Sequence, residues 1–169
     1  VSSGPVKEIV LKGRDVHLED LPIHVQGQKD KGPYITSGLC ITKDPDTGIR
    51  NVSFQRMQLK GSNKTGIMMQ PERHASLIYQ KYQAINKPMP IAVMIGHHPM
   101  YYFAAAYTGP FGLDELEIAG TLLGEPVELV KCETIDLEVP AHSEIVLEGE
   151  VLPNIREDEG PFSEFQNYY

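Results

Sequence analysis

A tight turn between two extended segments is the feature that most constrains how this chain can fold. Residues 44–48 read Asp-Pro-Asp-Thr-Gly, and the flanking residues 34–43 and 51–56 have the composition of strands. Asp, Pro and Gly favour the backbone angles of a tight turn. We therefore predict a β-hairpin, which places residues 51–56 beside a neighbouring strand.

The second strand of this hairpin carries polar side chains on both faces. Successive side chains of a strand point to opposite sides. One side of this strand therefore carries Asn51, Ser53 and Gln55, and the other carries Val52, Phe54 and Arg56. The pattern fits either a half-exposed strand with solvated polar groups or a strand that contributes to a functional site.

Length and charge limit the classes of protein that this chain can belong to. Its 169 residues predict one domain with a hydrophobic core, and its net charge of −8 argues against a nucleic-acid partner. No apolar run approaches the roughly 20 residues of a transmembrane helix. Cys40 and Cys132 lie outside any CxxC pattern, so we expect two reduced thiols and a cytoplasmic protein. The chain begins with neither Met nor a leader pattern, and we expect it to be a piece of a longer protein.

Two amphipathic helices interrupt the predicted strands. The first follows Pro71, and its apolar face is formed by His74, Leu77, Ile78, Tyr82 and Ile85. The second covers residues 113–123 before the capping Gly124, with a face formed by Glu115, Ile118, Ala119 and Leu122. A continuous apolar run at residues 90–96 predicts a strand buried on both faces.

The remaining residues complete a mainly β chain. Residues 1–32 form a loop-rich lead-in, with a short strand predicted at residues 7–12, and residues 127–151 read as further strands. About seven strands with two helices predict a closed or split β-barrel covered by helices.

Three side chains of this arrangement suit a divalent metal. Asn51, His74 and Glu115 provide an amide oxygen, an imidazole and a carboxylate, each at the end of a different predicted element. Mg²⁺ and Mn²⁺ bind ligand sets of this kind and keep positions free for phosphate oxygens. The alternatives are a hydrogen-bonded core histidine and a glutamate that only favours the helix dipole.

A second group of polar residues lies near the end of the chain. Residues 159–164 read Glu-Gly-Pro-Phe-Ser-Glu, so a Gly-Pro turn separates two carboxylates. Two acids held by a rigid turn suit proton transfer, especially where an Arg balances one of them. A solvated acidic loop is the alternative, because Glu157 and Asp158 precede the motif.

Several segments in the same order resemble the UbiD family of decarboxylases, which use prenylated FMN. Residues 51–56 resemble the cofactor strand of that family, and the Pro-Glu-Arg-His of residues 71–74 follows at the expected interval. Residues 124–133, 137–141 and 144–149 match its signature region, and residues 159–162 with Glu164 and Tyr168 complete it. The resemblance implies a split β-barrel like the FMN-binding domains of flavin reductases, formed by residues 1–169 as the central part of a longer chain.

The resemblance also implies roles for individual residues. Asn51, His74 and Glu115 would bind Mn²⁺ or Mg²⁺, which holds the phosphate of prenylated FMN, and a potassium ion would bind near Tyr107 and Glu115. The implied cofactor contacts are Ser53, Phe54, Gln55, Arg56, Arg73 and Tyr107. Arg56, Glu159 and Glu164 would form the catalytic network, in which Arg56 holds the substrate carboxylate and Glu164 delivers the proton that replaces CO₂.

The implied activity is reversible decarboxylation of an aromatic or α,β-unsaturated acid. A flavin prenyltransferase would supply the cofactor, and the full-length chain would form a homo-oligomer. Two alternatives remain open, an oxidoreductase that binds ordinary FMN on the same barrel and a non-catalytic flavin-binding fragment or subunit. Paired acids argue against the oxidoreductase, because flavin reduction does not need them.

Overall fold

The computed structural model describes residues 1–164, 166, 168 and 169, which divide into two compact units. The first unit comprises Val1–Ile9, Gly38–Phe54 and Met69–Ile155. The second comprises Val10–Ser37, Gln55–Met68 and Arg156–Tyr169. The chain therefore leaves the first unit three times, after Ile9, Phe54 and Ile155, and returns to it twice, at Gly38 and Met69.

Strands outnumber helices in the described chain, which confirms its mainly β character. The strands are β1 (Tyr34–Ile35), β2 (Leu39–Lys43), β3 (Arg50–Phe54), β4 (Met57–Gly61), β5 (Lys64–Ile67), β6 (Met89–Ile95), β7 (Leu129–Lys131), β8 (Glu138–Pro140) and β9 (Ile145–Val151). The α-helices are α1 (His74–Ala84), α2 (Met100–Ala106) and α3 (Glu115–Leu123).

The predicted hairpin is present in the first unit. Strands β2 and β3 pair antiparallel, with Thr42 opposite Asn51 and Cys40 opposite Ser53. The turn closes through hydrogen bonds from Gly48 N–H to the Asp44 carbonyl and from Asp44 N–H to the Ile49 carbonyl. Residues 34–43 were predicted as one strand but form β1 and β2 in different sheets, because the chain changes unit between Ser37 and Gly38.

A four-stranded antiparallel sheet in the order β3-β2-β6-β9 forms the centre of the first unit. Strand β6 is almost entirely buried, as its apolar run predicts. The main hydrophobic cluster joins this sheet to α3 and to the β7–β8 ladder through Leu39, Ile41, Val52, Ala92, Met94, Leu116, Val130, Leu137, Val139 and Ala141.

Helix α3 ends at Leu123 as its sequence predicts, but it begins at Glu115, two residues after the predicted start. The Asp114 side chain caps its start by accepting a hydrogen bond from Leu116 N–H. Gly124 ends it with a φ of 77°, a left-handed conformation that glycine adopts without steric cost. The predicted buried face is correct at Glu115 and Ala119 but not at Leu122, which is exposed.

The other two helices differ more from the sequence-based expectation. Ile78 of α1 is buried as predicted, but Ala75 and Tyr79 are also buried, and Ile85 lies beyond the helix and is exposed. The periodicity therefore places the buried face of α1 about a quarter turn from its actual position. Helix α2 was not predicted, because its aromatic and alanine sequence has no clear apolar stripe.

The second unit is built on the three-stranded sheet β1-β4-β5. Strands β4 and β5 form a hairpin, and β1 pairs with β4 through Tyr34 and Ile35. The strand predicted at residues 7–12 is wrong. Pro5–Lys7 form a 3-10 turn, and residues 8–12, all of them described, pair with no strand.

The described residues form three open sheets rather than a closed barrel. Strands β3 and β9 are the two edges of the largest sheet and do not pair with each other there. The split barrel of flavin reductases therefore stays a prediction. None of the described helices has both the length and the apolar character that crossing a membrane requires.

Candidate active site

Asn51 and Glu115 meet in the interior of the first unit. Asn51 lies on β3, Glu115 is the first residue of α3, and both are buried. Asn51 Nδ2 donates to Glu115 Oε1 at 2.9 Å, and Val52 N–H donates to Glu115 Oε2 at 2.7 Å. The edge strand thus presents both an amide and a backbone donor to one carboxylate.

The contact between Asn51 and Glu115 leaves the side-chain oxygen of Asn51 without a hydrogen bond in the described part of the chain. Asn51 Oδ1 is buried and accepts no hydrogen bond from the described residues. Burial raises the pKa of Glu115, and the hydrogen bonds from Val52 and Asn51 oppose that effect only in part. Buried polar atoms usually have partners, so an unpaired amide oxygen beside a desolvated carboxylate suits a cation.

His74 shares a small cavity with Asn51. It is the first residue of α1, half-buried, and its ring meets the Phe111 ring edge-on with centroids 5.4 Å apart. The cavity has a volume of ≈ 10 Å³ and is lined by Asp44, Ile49, Arg50, Asn51, His74, Ile78, Phe111, Gly112 and Leu113. Such a space has the size of about one water molecule or ion.

The predicted metal ligands fit a divalent cation through their donor atoms. Asn51 contacts Glu115 directly and lines the same cavity as His74. Among the described residues no three His, Cys, Asp or Glu side chains converge in a metal-binding cluster. A metal here would therefore need the Asn51 amide oxygen in addition to His74 and Glu115.

Two basic side chains beside these residues form ion pairs that had no signal in the sequence. Arg50 donates to Asp114 at 2.9 Å through Nε and to Glu138 at 2.7 Å through Nη1. Lys81 donates to both carboxylate oxygens of Asp44, at 2.9 and 2.8 Å. Each pair joins residues far apart in sequence, which a pattern of neighbouring residues cannot reveal.

The predicted cofactor contacts of the first unit differ in their exposure. Ser53 is half-buried, whereas Phe54 is 41% exposed and stacks on Tyr102 with centroids 5.6 Å apart. Arg73 is exposed immediately before α1, and Tyr107 is exposed immediately after α2. The stacked pair of Phe54 and Tyr102 offers an accessible aromatic surface of the kind that planar ligands contact.

Arg56, Glu159 and Glu164 come together in the second unit. Arg56 donates to both oxygens of Glu159, from Nε at 2.7 Å and from Nη2 at 3.0 Å, and from Nη1 to Glu164 at 3.0 Å. The guanidinium carbon also lies 4.8 Å from the centroid of the Phe162 ring. Hydrogen bonding to Glu159 raises the pKa of Arg56, so its charge is firmly held.

The two carboxylates of this network differ in their surroundings. The Glu159 side chain is 20% exposed and is held by two hydrogen bonds, whereas the Glu164 side chain is 55% exposed and has one bond to Arg56. Gln55, the remaining predicted cofactor contact, is buried in the same unit. The arrangement can hold an anion at Arg56 and exchange a proton at Glu164.

Known proteins resemble the chain along its whole length. Residues 1–169 match the sequence model of the UbiD family, described as the 3-octaprenyl-4-hydroxybenzoate carboxy-lyase Rift-related domain. Among curated proteins, an anhydromevalonate phosphate decarboxylase of Methanothermobacter thermautotrophicus is 40% identical over 152 residues, which cover 90% of this chain and 36% of that protein.

Two solved structures show the same fold. The first is an evolved dimeric form of the UbiD-class enzyme HmfF from Pelotomaculum thermopropionicum in complex with prFMN. It is 48% identical with a TM-score of 0.94, and the match covers 98% of this chain and 38% of that one. The second is the closed form of the vanillic acid decarboxylase of Sedimentibacter hydroxybenzoicus, 38% identical with a TM-score of 0.92 over 98% of this chain and 36% of that one.

The chain therefore spans little more than a third of the length of these relatives. A family match over every residue, together with likeness of fold to enzymes of that class, establishes the relationship. The chain belongs to the UbiD family of decarboxylases.

Proposed function

We propose that the protein containing this chain is a carboxy-lyase that uses prenylated FMN and a divalent metal. Its substrate would be an aromatic or α,β-unsaturated carboxylic acid, and the reaction would be reversible. The observation that carries this proposal is the hydrogen-bonded network of Arg56 with Glu159 and Glu164 in a UbiD-family chain. The structure of HmfF in complex with prFMN supports the choice of cofactor.

Asn51, His74 and Glu115 would hold Mn²⁺ or Mg²⁺, and the metal would hold the phosphate of the flavin. The unpaired Asn51 oxygen, the ionisable Glu115 and the shared cavity with His74 support this assignment. Ser53, Phe54, Gln55, Arg56, Arg73 and Tyr107 would line the flavin, with Phe54 contacting it through its exposed face. A potassium ion near Tyr107 and Glu115 belongs to the same proposal.

Loss of CO₂ leaves an electron pair that no side chain can accept. When bound, prenylated FMN supplies the electrophilic carbon that accepts this pair. Arg56 binds the substrate carboxylate and holds the Glu159 side chain beside it through two hydrogen bonds, because a guanidinium pairs best with carboxylates. Glu164 donates the proton that replaces CO₂, and its exposure allows it to regain a proton from water.

The related decarboxylases act on different acids. The relatives include decarboxylases of vanillic acid and of anhydromevalonate phosphate, so aromatic and aliphatic unsaturated acids both belong in a substrate screen. Residues 1–169 would act as one split-barrel cofactor domain within a cytoplasmic homo-oligomer. A flavin prenyltransferase would supply the cofactor.

The test is CO₂ release by the full-length protein after co-production with a flavin prenyltransferase. We expect release from at least one acid and a Glu164→Gln variant that turns over at least about 100-fold more slowly, because glutamine cannot transfer the proton. The absorbance of the bound flavin and the metal content should match those of the wild type.

Glu150→Gln is the matched control, because Glu150 is an exposed glutamate on β9. This variant should have wild-type turnover. Near-normal turnover of Glu164→Gln would remove Glu164 from its role. Bound FMN without a prenyl group and without CO₂ release would instead favour the oxidoreductase, and a protein that binds no flavin would favour a non-catalytic subunit.

A further inference from the structure

The loop that carries Glu159 and Glu164 is held by residues 27–34 of the same unit. Lys31 N–H donates to the Pro161 carbonyl at 3.0 Å. The rings of Tyr34 and Phe162 lie 4.6 Å apart between centroids. These contacts fix the middle of the loop, between its two carboxylates.

Among the contacts that residues 27–34 make with this loop, the one from Asp30 reaches Ser163, the residue before Glu164. Oδ1 of Asp30 accepts a hydrogen bond from Ser163 N–H at 2.6 Å, and its Oδ2 accepts one from Gly27 N–H at 2.7 Å. Burial opposes ionisation, but the hydrogen bonds from Gly27 and Ser163 outweigh it and lower the pKa of Asp30. Asp30 is therefore an anion at neutral pH, and its bonds to both N–H groups are charge-assisted.

Gly27 and Ser163 are in close contact at this point. A Cβ atom at Gly27 would lie 2.3 Å from Ser163 Oγ, so only glycine allows this approach. The turn that begins at Gly27 closes with a hydrogen bond from Asp30 N–H to the Gly27 carbonyl at 3.1 Å. This turn therefore presents the Asp30 carboxylate to the loop backbone in a fixed position.

The position of the Glu164 carboxylate depends on the backbone that carries it more than the position of the Glu159 carboxylate does. Glu159 has two hydrogen bonds to Arg56, while the more exposed Glu164 has one. The backbone at Ser163 sets where the Glu164 side chain begins. A displacement of about 1 Å in a catalytic group can cost about 100-fold in rate.

We infer that Asp30 is a positioning residue, which holds the Ser163 backbone so that the Glu164 carboxylate stays within reach of Arg56 and of the carbon that it protonates. Asp30 acts through Glu164 and does not touch the substrate. This inference rests on the proposed function, since Glu164 is the proton donor there.

The experiment compares Asp30→Ala, Asp30→Asn and the control Asp20→Ala in the full-length protein loaded with prenylated FMN. Asp20 is an exposed aspartate of the same unit. We expect kcat of Asp30→Ala to fall about 10- to 100-fold, with KM and flavin content close to wild type. Asp30→Asn keeps an oxygen acceptor for Ser163 and should recover part of the loss, and Asp20→Ala should match the wild type.

Two further readouts separate positioning from general stability. The solvent deuterium isotope effect on kcat should increase in Asp30→Ala, because proton delivery becomes slower. The double variant Asp30→Ala with Glu164→Gln should be within about 3-fold of Glu164→Gln alone, because both changes affect one step. Wild-type kcat in Asp30→Ala, or losses that multiply in the double variant, would overturn the inference.

Hydrogen exchange tests the contact without any activity. In Asp30→Ala the Ser163 amide should exchange faster, whereas exchange in β4 and β5 should not change. Unchanged exchange at Ser163 would overturn the inference. A wild-type protein that releases no CO₂ from any acid would contradict the proposed function instead, so the two failures can be told apart.

Discussion

At the scale of single residues, the two polar atoms of the Asn51 amide have different surroundings. Its nitrogen donates to Glu115, which fixes the orientation of the amide, and its oxygen stays buried without a hydrogen bond. This oxygen is the atom that would bind the cation in the proposed metal site.

The metal assignment predicts loss of Mn²⁺ when a ligand is removed. We expect Asn51→Ala and His74→Ala to weaken Mn²⁺ binding by at least about 10-fold, because each removes one donor atom. Binding can be measured by titration calorimetry and by metal analysis after dialysis of the full-length protein. His142→Ala is the control, since this exposed histidine pairs with Glu128. Equal Mn²⁺ affinity in all variants would contradict the site.

At the scale of elements, the pairing of Arg50 with Asp114 aligns the two halves of the candidate metal site. Arg50 precedes Asn51 on β3, and Asp114 precedes Glu115 at the start of α3. The Arg50 and Asp114 side chains are 21% and 10% exposed, so water screens their interaction only in part. The ion pair thus fixes the start of α3 against β3, which brings Glu115 to Asn51.

Removing the Asp114 side chain should destabilise the first unit. Asp114→Ala loses both the helix cap and the Arg50 ion pair, and we expect a loss of about 1–2 kcal/mol in the free energy of unfolding. Asp114→Asn keeps a capping oxygen and should lose less. Denaturant unfolding checks both, with Glu117→Ala on the exposed side of α3 as the control. A loss in Glu117→Ala equal to that in Asp114→Ala would contradict the cap and ion-pair explanation.

At the scale of the whole molecule, several acids are held ionised in the folded state. Hydrogen bonds from Lys43 and from Lys64 lower the pKa of Asp136 and of Glu157, respectively. Burial opposes ionisation of Asp44, but the Lys81 hydrogen bond outweighs it and lowers the pKa of Asp44. Like Asp30, these groups bind a proton less readily when folded than when unfolded.

This difference predicts an acid-sensitive fold. A carboxyl whose pKa is lowered on folding stabilises the protein above its unfolded pKa, about 4, and the benefit disappears as the pH falls through its folded pKa. We expect Tm to fall steeply below about pH 4 and to fall less steeply in Asp44→Asn. Thermal unfolding measured from pH 7 to pH 3 checks this, with the exposed Asp15→Asn as the control. Parallel curves for wild type and Asp44→Asn would contradict the contribution of Asp44.

Local signals in the sequence predicted the parts of this fold that depend on neighbouring residues. The turn at residues 44–48, the buried strand β6 and the capped end of α3 at Gly124 are all present. Each needs only a short pattern of backbone preference or hydrophobicity. The buried faces of α1 and α3 were only partly predicted, because which residues are covered depends on what packs against the helix.

The sequence by itself determined the family, the hairpin and the residue types that suit a metal and a proton transfer. Only the tertiary structure decided that Asn51 contacts Glu115 and that Arg56 joins Glu159 to Glu164. It also brought Asp30 to Ser163, 133 residues apart in the chain, where no motif points to the pair. Such contacts depend on the path of the whole backbone, since hydrogen bonds form between residues that folding brings together, however far apart they are in sequence.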